Sequence, residues 1–73
     1  MIEYRNSDFR ALVDEYVHDH RHRKVLIDRF CERYTFEQIA ERNDYSTRQV
    51  KNIVYRYGDR LFLLLQKERE TVV

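Results

Sequence analysis

The sequence predicts an all-α protein with four to five short helices in a single domain that spans residues 1–73. The chain has one glycine and no proline, so it lacks the turn residues that hairpins and β-sandwiches require. Its apolar residues recur at helical spacing. Hydrophobic residues make up 42% of the 73 residues, which is too many for a disordered chain and enough for only one small core.

The first helix is indicated by five apolar residues that form one helical stripe. We expect Asn6 or Ser7 to cap its N-terminus, Asp8 to lie favourably in its first turn, and the helix to end near His18. The stripe consists of Phe9, Leu12, Val13, Tyr16 and Val17.

A second helix is expected to begin near Asp19 or His20 and to end near Arg33. One continuous helix through this junction is the alternative, because no residue between positions 18 and 21 forbids it. The apolar residues of the second helix are Val25, Leu26, Ile27, Phe30 and Cys31.

Two capping boxes predict the next two helices. Thr35 is followed three residues later by Gln38, and Ser46 is followed three residues later by Gln49. The turn between these helices contains Asn43 and Asp44, which both tolerate a left-handed backbone. The inward residues of the fourth helix are expected to be Val50, Ile53, Val54 and Tyr57.

Gly58 is predicted to end the fourth helix, and Asp59 to cap a separate apolar helix over residues 59–67, followed by a frayed tail over residues 68–73. Five apolar residues in succession, from 61 to 65, would cover every side of that helix. We expect one side to close the core and the other to be a partner surface, unless the first helix covers both. The predicted interface consists of Leu61, Phe62, Leu64 and Leu65.

Net charge is only +1, but basic and acidic segments alternate along the chain. Residues 1–20 contain five acids and two arginines, whereas residues 21–34 contain five basic residues and two acids. Residues 46–60 contain four basic residues and one acid. The neutral average therefore conceals two basic segments.

Residues 35–57 have the layout of a helix-turn-helix, in which the second helix lies in the major groove of DNA. Ala40 is expected where the two helices cross, because a small side chain permits close approach. Asp44 is expected to take the positive φ of the turn. The angle between the helices would be filled by Ile39, Tyr45, Val50 and Ile53.

The outer face of the fourth helix carries donors and no acid between residues 47 and 57. Arginine forms forked hydrogen bonds with guanine and asparagine with adenine, while lysine, threonine and tyrosine suit phosphates or a thymine methyl. The helix N-terminus adds free amides for a phosphate. The predicted DNA-binding residues on this face are Ser46, Thr47, Arg48, Lys51, Asn52, Tyr55 and Arg56, and we expect base contacts from Arg48, Lys51 and Asn52.

Three runs of residues occur in a characteristic order: Arg23-Lys24-Val25-Leu26, then Tyr34-Thr35-Phe36-Glu37-Gln38-Ile39-Ala40-Glu41, then Ser46-Thr47-Arg48-Gln49-Val50-Lys51. They resemble region four of the bacterial sigma factors and the small phage and Gram-positive regulators built on that domain. The similarity covers about residues 21–57. It implies that Arg48, Lys51, Asn52 and Tyr55 face the groove, that Thr47 and Arg56 lie nearer the backbone, and that the second helix touches flanking phosphates through Arg21, Arg23, Lys24 and Arg29.

No catalytic constellation is recognisable, so we expect neither an enzyme nor a cofactor. Cys31 is expected to be a buried, inert thiol, and the histidines at 18, 20 and 22 lack a third metal ligand at fixed spacing. The charged N-terminus is followed by no apolar signal segment, and the single cysteine fits a reducing compartment. These features predict a cytoplasmic protein.

The most direct hypothesis is a sequence-specific regulator that binds double-stranded DNA and gains affinity as a homodimer on two half-sites. One alternative is a protein-interaction module that docks on RNA polymerase or another assembly through the acidic first helix and the apolar C-terminal segment. Another is a phage packaging subunit that recognises viral DNA as part of a larger ring.

Overall fold

The structure, a computed structural model, describes residues 4–70, with side chains through Lys67. It contains four helices and, within these residues, no strand: α1 (Asn6–Tyr16), α2 (His20–Phe30), α3 (Phe36–Asn43) and α4 (Thr47–Glu70). The predicted all-α class is therefore confirmed. Residues 68–70 of the predicted frayed tail belong to α4, and residues 71–73 lie outside the described range. No helix in that range is long and apolar enough to cross a membrane.

The helices surround one core, in which α2 and α4 each pack against the other three helices. Each helix contributes a buried stripe, because its apolar residues recur every three or four positions. Fully or almost fully buried members include Phe9, Val13, Leu26, Ile39, Val50 and Leu61.

The junction between α1 and α2 is a true break, so the alternative of one continuous helix is wrong. Val17 has an extended backbone (φ −112°, ψ 110°), and α1 ends at Tyr16, two residues before the predicted His18. The Asp19 carboxylate caps α2 by accepting from the amides of Arg21 (2.9 Å) and His22 (3.4 Å). A capping carboxylate competes with helix continuation, because it satisfies amides that a longer helix would bond internally.

The N-terminus of α1 differs from the prediction, since Arg5 occupies the cap position and its side chain makes no capping bond. Asn6, one of the two predicted caps, lies within the helix, and its side-chain amide donates to the carbonyl of Cys31 at 3.5 Å. Asn6 therefore connects α1 to the end of α2, and Ser7 likewise lies inside α1. Asp8 lies in the first turn as predicted.

Helix α2 ends at Phe30, earlier than the predicted Arg33. Arg33 has a left-handed backbone (φ 61°), which reverses the chain. The reversal allows the amide of Tyr34 to donate to the carbonyl of Asp28 at 3.0 Å. Arg33 lies two residues after the Cys31 cap, so it redirects the chain after the helix has ended, and glycine would adopt this backbone at lower cost than arginine.

Both predicted capping boxes are present. The amide of Gln38 donates to Thr35 Oγ1 (3.1 Å), and the Thr35 amide donates to Gln38 Oε1 (2.9 Å). The equivalent distances at the second box are 3.1 Å from the Gln49 amide to Ser46 Oγ and 2.9 Å from the Ser46 amide to Gln49 Oε1. Asp44 has the predicted positive φ, at 58°.

The separate helix predicted over residues 59–67 is wrong, because α4 continues without interruption through Gly58. Gly58 is buried and does not have a positive φ. A glycine inside a helix costs only about 1 kcal/mol relative to alanine. Burying one leucine contributes about 1.5–3 kcal/mol, and both Leu61 and Leu65 become buried when the helix continues. Packing therefore outweighs the local stop signal.

The apolar C-terminal half of α4 closes the core, which corrects the predicted partner surface. Leu61 and Leu65 are 1% and 3% exposed, so neither is accessible to a partner. Phe62 and Leu64 are partly buried and pack against the core. Phe62 makes ring contacts 5.0–6.0 Å between centroids with Tyr4, Phe9 and Phe30. The exposed residue of this run is Leu63, at 53%, which the prediction did not include.

Candidate nucleic-acid interface

The first half of α4 presents a polar outer face, which we call the recognition face. Five of its members are exposed and Thr47 is half-buried, so the predicted orientation of the helix is confirmed. Tyr55 is 65% exposed, a high value for an aromatic residue. Ser46 is exposed directly before the helix begins. The recognition face consists of Thr47, Arg48, Lys51, Asn52, Tyr55 and Arg56.

The opposite side of this half of α4 fixes the orientation of the recognition face. Val50, Ile53 and Val54 are buried, and α3 supplies the facing residues Ile39 and Ala40, which are also buried. The predicted packing between the two helices is thus confirmed for its aliphatic members. Burial of one side fixes the rotation of the helix about its own axis, so the donors on the other side all point outward.

Tyr45 is half-buried rather than fully buried, and it has a second role. Its amide donates to the carbonyl of Ala40 at 2.9 Å, which completes the turn after α3. The guanidinium carbon of Arg21 lies 4.8 Å from the centre of the Tyr45 ring. Helix α2 therefore contacts the turn through a cation–π pair.

Asp28 is the main structural residue that the sequence reasoning missed. It is 5% exposed, and its Oδ2 accepts from Asn43 Nδ2 at 3.2 Å and lies 3.7 Å from Arg42 Nε. The Asn43 side chain also donates to the carbonyl of Ile39 at 2.8 Å. Asp28 thus joins α2 to the end of α3, directly before the turn. Asp28 lies three residues after the buried Val25 and therefore on the same face of α2, which was the sequence signal for its burial.

The ring of Phe36, the first residue of α3, contacts side chains from two other helices. The guanidinium carbon of Arg29 in α2 lies 4.2 Å from the ring centre, and Lys51 Nζ in α4 lies 5.8 Å from it. The Tyr55 ring meets the Phe36 ring edge-on, with centroids 6.2 Å apart. We call these four residues the Phe36 cluster. The Phe36 ring is half-buried.

The basic side chains fall into two groups according to their partners. Arg10 pairs with Glu32 (3.2 Å), Arg23 with Asp14 (3.3 Å) and Arg42 with Asp28 (3.7 Å). Among the described side chains, residues 4–67, no ion pair within 4 Å involves a cation of the recognition face. Those cations are Arg48, Lys51 and Arg56, and all three are exposed on the outer side of α4.

Arg23, a predicted phosphate contact, forms three contacts within the protein. Its Nε donates to the carbonyl of Val17, its Nη2 donates to the carbonyl of Asp14 at 2.9 Å, and Nη1 pairs with the Asp14 carboxylate. Arg23 satisfies free carbonyls at the end of α1. Arg23 therefore stabilises the end of α1, and its phosphate contact stays a prediction.

The histidines and the cysteine have structural surroundings. His22 Nδ1 and the Tyr57 hydroxyl are hydrogen-bonded at 3.0 Å, which joins α2 to α4. His18 lies in the loop before α2 and His20 begins that helix. Among the described residues, no group of three metal-ligating side chains is present. Burial raises the pKa of the Cys31 thiol above its ordinary value, which disfavours the nucleophilic thiolate.

The architecture and its exposed donors define a class, the helix-turn-helix DNA-binding domains. Comparison with protein families gives the particular family within this class. The family model "Sigma-70, region 4" matches residues 19–61, which is more than half of the 73-residue chain. The chain belongs to this family, which is a DNA-binding rather than an enzymatic one. The match begins at the Asp19 cap and includes α2, α3 and the first half of α4. No curated protein and no solved structure matches the chain significantly.

Proposed function

We propose that the protein is a sequence-specific regulator that inserts the first half of α4 into the major groove of double-stranded DNA. One observation carries the proposal: the recognition face is exposed, free of acids and without internal ion pairs among the described side chains. An ordinary solvated helix face mixes both signs of charge. Unpaired cations beside a polyanion gain affinity by releasing condensed counterions.

Within this face, Arg48 and Asn52 carry the base recognition. They lie four residues apart and therefore one above the other on the helix surface. Arginine recognises guanine and asparagine recognises adenine through paired hydrogen bonds. Lys51 lies beside them, while Ser46, Thr47 and Arg56 are closer to the ends of the face and suit the phosphate backbone.

Selection of bound duplexes from a random pool is the direct test of sequence recognition. We expect an enriched sequence, and Arg48→Ala should weaken binding to it by about 1–3 kcal/mol and relax the preference at one position. Arg10→Ala is the matched control, since Arg10 is exposed but already paired with Glu32. It should bind like the parent. No enrichment, or equal binding by Arg48→Ala and the parent, would contradict the proposal.

A second candidate is docking on RNA polymerase or another protein, and the exposure of Leu63 favours it. Asp8, Asp14 and Glu15 on α1 are also exposed and acidic. Gel-shift with random duplex at low salt separates the candidates, because phosphate-driven binding must appear there if the recognition face meets DNA. Absence of a shift would favour protein docking.

The oligomeric state distinguishes the possible roles of a DNA-binding chain. We infer a homodimer, because two half-sites one helical turn apart, about 34 Å, greatly increase the affinity of a small module. A palindromic selected sequence and a dimer by light scattering would support a regulator. A ring-sized oligomer would instead support a phage packaging role.

A further inference from the structure

The Phe36 cluster contains two positive charges with no acid to neutralise them. Arg29 and Lys51 come from different helices, yet both lie within 6 Å of the centre of one ring. Among residues 4–67, neither takes part in an ion pair. The negative face of an aromatic ring attracts each cation, but it compensates only a small part of their charge.

Arg29 is held from two sides. Its Nη1 donates to the carbonyl of Tyr34 at 3.0 Å, and its guanidinium lies over the Phe36 ring. A guanidinium has five N–H donors, so one bond to a carbonyl leaves most of them for an anion. Because the side chain is already ordered, binding a ligand costs little further conformational entropy.

Lys51 and Tyr55 bring the cluster to the edge of the recognition face. They are four residues apart on α4 and both contact Phe36. Lysine contributes a point charge with three donors, and the tyrosine hydroxyl contributes another. Two cations and a hydroxyl around one ring can bind an anion that has several acceptor oxygens. A backbone phosphodiester, with one negative charge, is such a group.

We propose that the Phe36 cluster binds one phosphodiester of the DNA backbone, with Arg29 and Lys51 supplying the charge and Phe36 acting as the positioning residue for both. The inference rests on the proposed function and deepens it, because it assigns Lys51 to the backbone rather than to a base edge. Contact from α2 and α4 to one phosphate fixes how deeply α4 enters the groove.

The first test is the salt dependence of binding to the selected duplex. The double variant Arg29→Gln/Lys51→Gln should reduce the slope of log affinity against log salt by about 0.9, the value for one phosphate. Sequence preference should be unchanged. Arg10→Gln, the control outside the cluster, should keep the parent slope.

The second test isolates the ring. Phe36→Leu should weaken binding about two- to five-fold in the parent, as expected from loss of a cation–π contact. It should have almost no effect in the Arg29→Gln/Lys51→Gln background, since the two changes remove the same interaction. Phe36→Tyr, which keeps the ring, should restore parent binding. Thermal unfolding of each variant verifies that it is folded at the binding temperature.

The outcomes separate this inference from the proposed function. If the double variant keeps the parent slope while Arg48→Ala weakens binding, the phosphate site is wrong and the DNA-binding proposal stands. Equal loss from Phe36→Leu in both backgrounds would show that the ring acts only through packing, which overturns the positioning role. A parent chain that binds no duplex at low salt overturns both.

Discussion

The two halves of α4 use the same helical backbone for different purposes. In residues 47–57, the buried side is narrow and aliphatic and the opposite side is charged. In residues 59–67, Leu61 and Leu65 are buried, Phe62 joins an aromatic cluster, and the described cations Arg60 and Lys67 flank this apolar run. The first half therefore carries the candidate recognition surface, and the second half carries much of the stability.

This difference predicts a separation of effects. Substitutions on the outer side of the first half should change binding with little change in stability, since they remove exposed groups. Substitutions on the inner side of the second half should lower stability and leave the affinity of the folded fraction unchanged.

The largest effect is expected at Leu61. Leu61→Ala should lower the free energy of unfolding by about 2–5 kcal/mol, because it leaves a cavity in the core. Leu63→Ala, the matched control two residues away and 53% exposed, should stay within about 0.5 kcal/mol of the parent. Urea unfolding followed by circular dichroism measures both. A similar small loss in the two variants would mean that this half of α4 does not close the core.

Asp28 tests how the first half of α4 is supported from α2. Asp28→Ala should cost about 1.5–3 kcal/mol, because it removes a charged acceptor from Asn43 and Arg42. Asp28→Asn keeps an acceptor oxygen for Asn43 and should cost less. The exposed Glu15 provides the control Glu15→Ala, which should match the parent. Equal unfolding midpoints for Asp28→Ala and Glu15→Ala would rule out a structural role for the buried carboxylate.

Gly58 tests whether the two halves are one helix. A methyl group at this position would meet Phe30 Cζ at 3.6 Å, an ordinary van der Waals distance. Gly58→Ala should therefore stabilise the protein by about 0.5–1 kcal/mol, as expected at a helix interior. At a left-handed helix end, the same substitution would instead destabilise. The sign of the change in thermal midpoint decides between the two.

The smallest effect is expected from acid titration of the Asp19 cap. The hydrogen bond from the Arg21 amide lowers the pKa of this carboxyl below its ordinary value of 3.8. A lowered folded-state pKa means that the stabilisation is complete above pH 3.8 and is lost as pH falls through the folded-state pKa. Asp19→Ala should melt below the parent at pH 7, and the gap should narrow in strong acid. A gap that stays constant with pH would contradict the capping role.

Local signals predicted most of the helix-turn-helix. Each of these features depends only on residues within one helical turn, so it can be predicted from neighbouring positions in the sequence. They are the capping boxes at Thr35 and Ser46 and the left-handed backbone of Asp44. The outer face of the first half of α4 was also predictable, because apolar residues at helical spacing mark the buried side and leave the other residues exposed.

Non-local packing accounts for the errors. Gly58 has the local signature of a helix end, but continuing the helix buries Leu61 and Leu65 in the core that α4 forms with the other helices. In the sequence, Asp28 is one acid within a basic helix, and its structural role depends on the hydrogen bond from Asn43 on α3. Phe36 is a large apolar residue, yet its ring is half-buried and contacts Arg29 and Lys51 from two other helices. In each case the deciding partner lies on another helix.

The continuity of α4 through Gly58 has a consequence for helical phase. Each residue of an α-helix advances the chain by about 100° and 1.5 Å. Arg48 and Leu61 are thus separated by about 20 Å along one axis, with a fixed angle between them. Inserting one residue between Tyr57 and Leu61 would turn the recognition face by about 100° relative to the buried leucines. The number of residues between the two halves therefore sets the direction in which the side chains of the recognition face point.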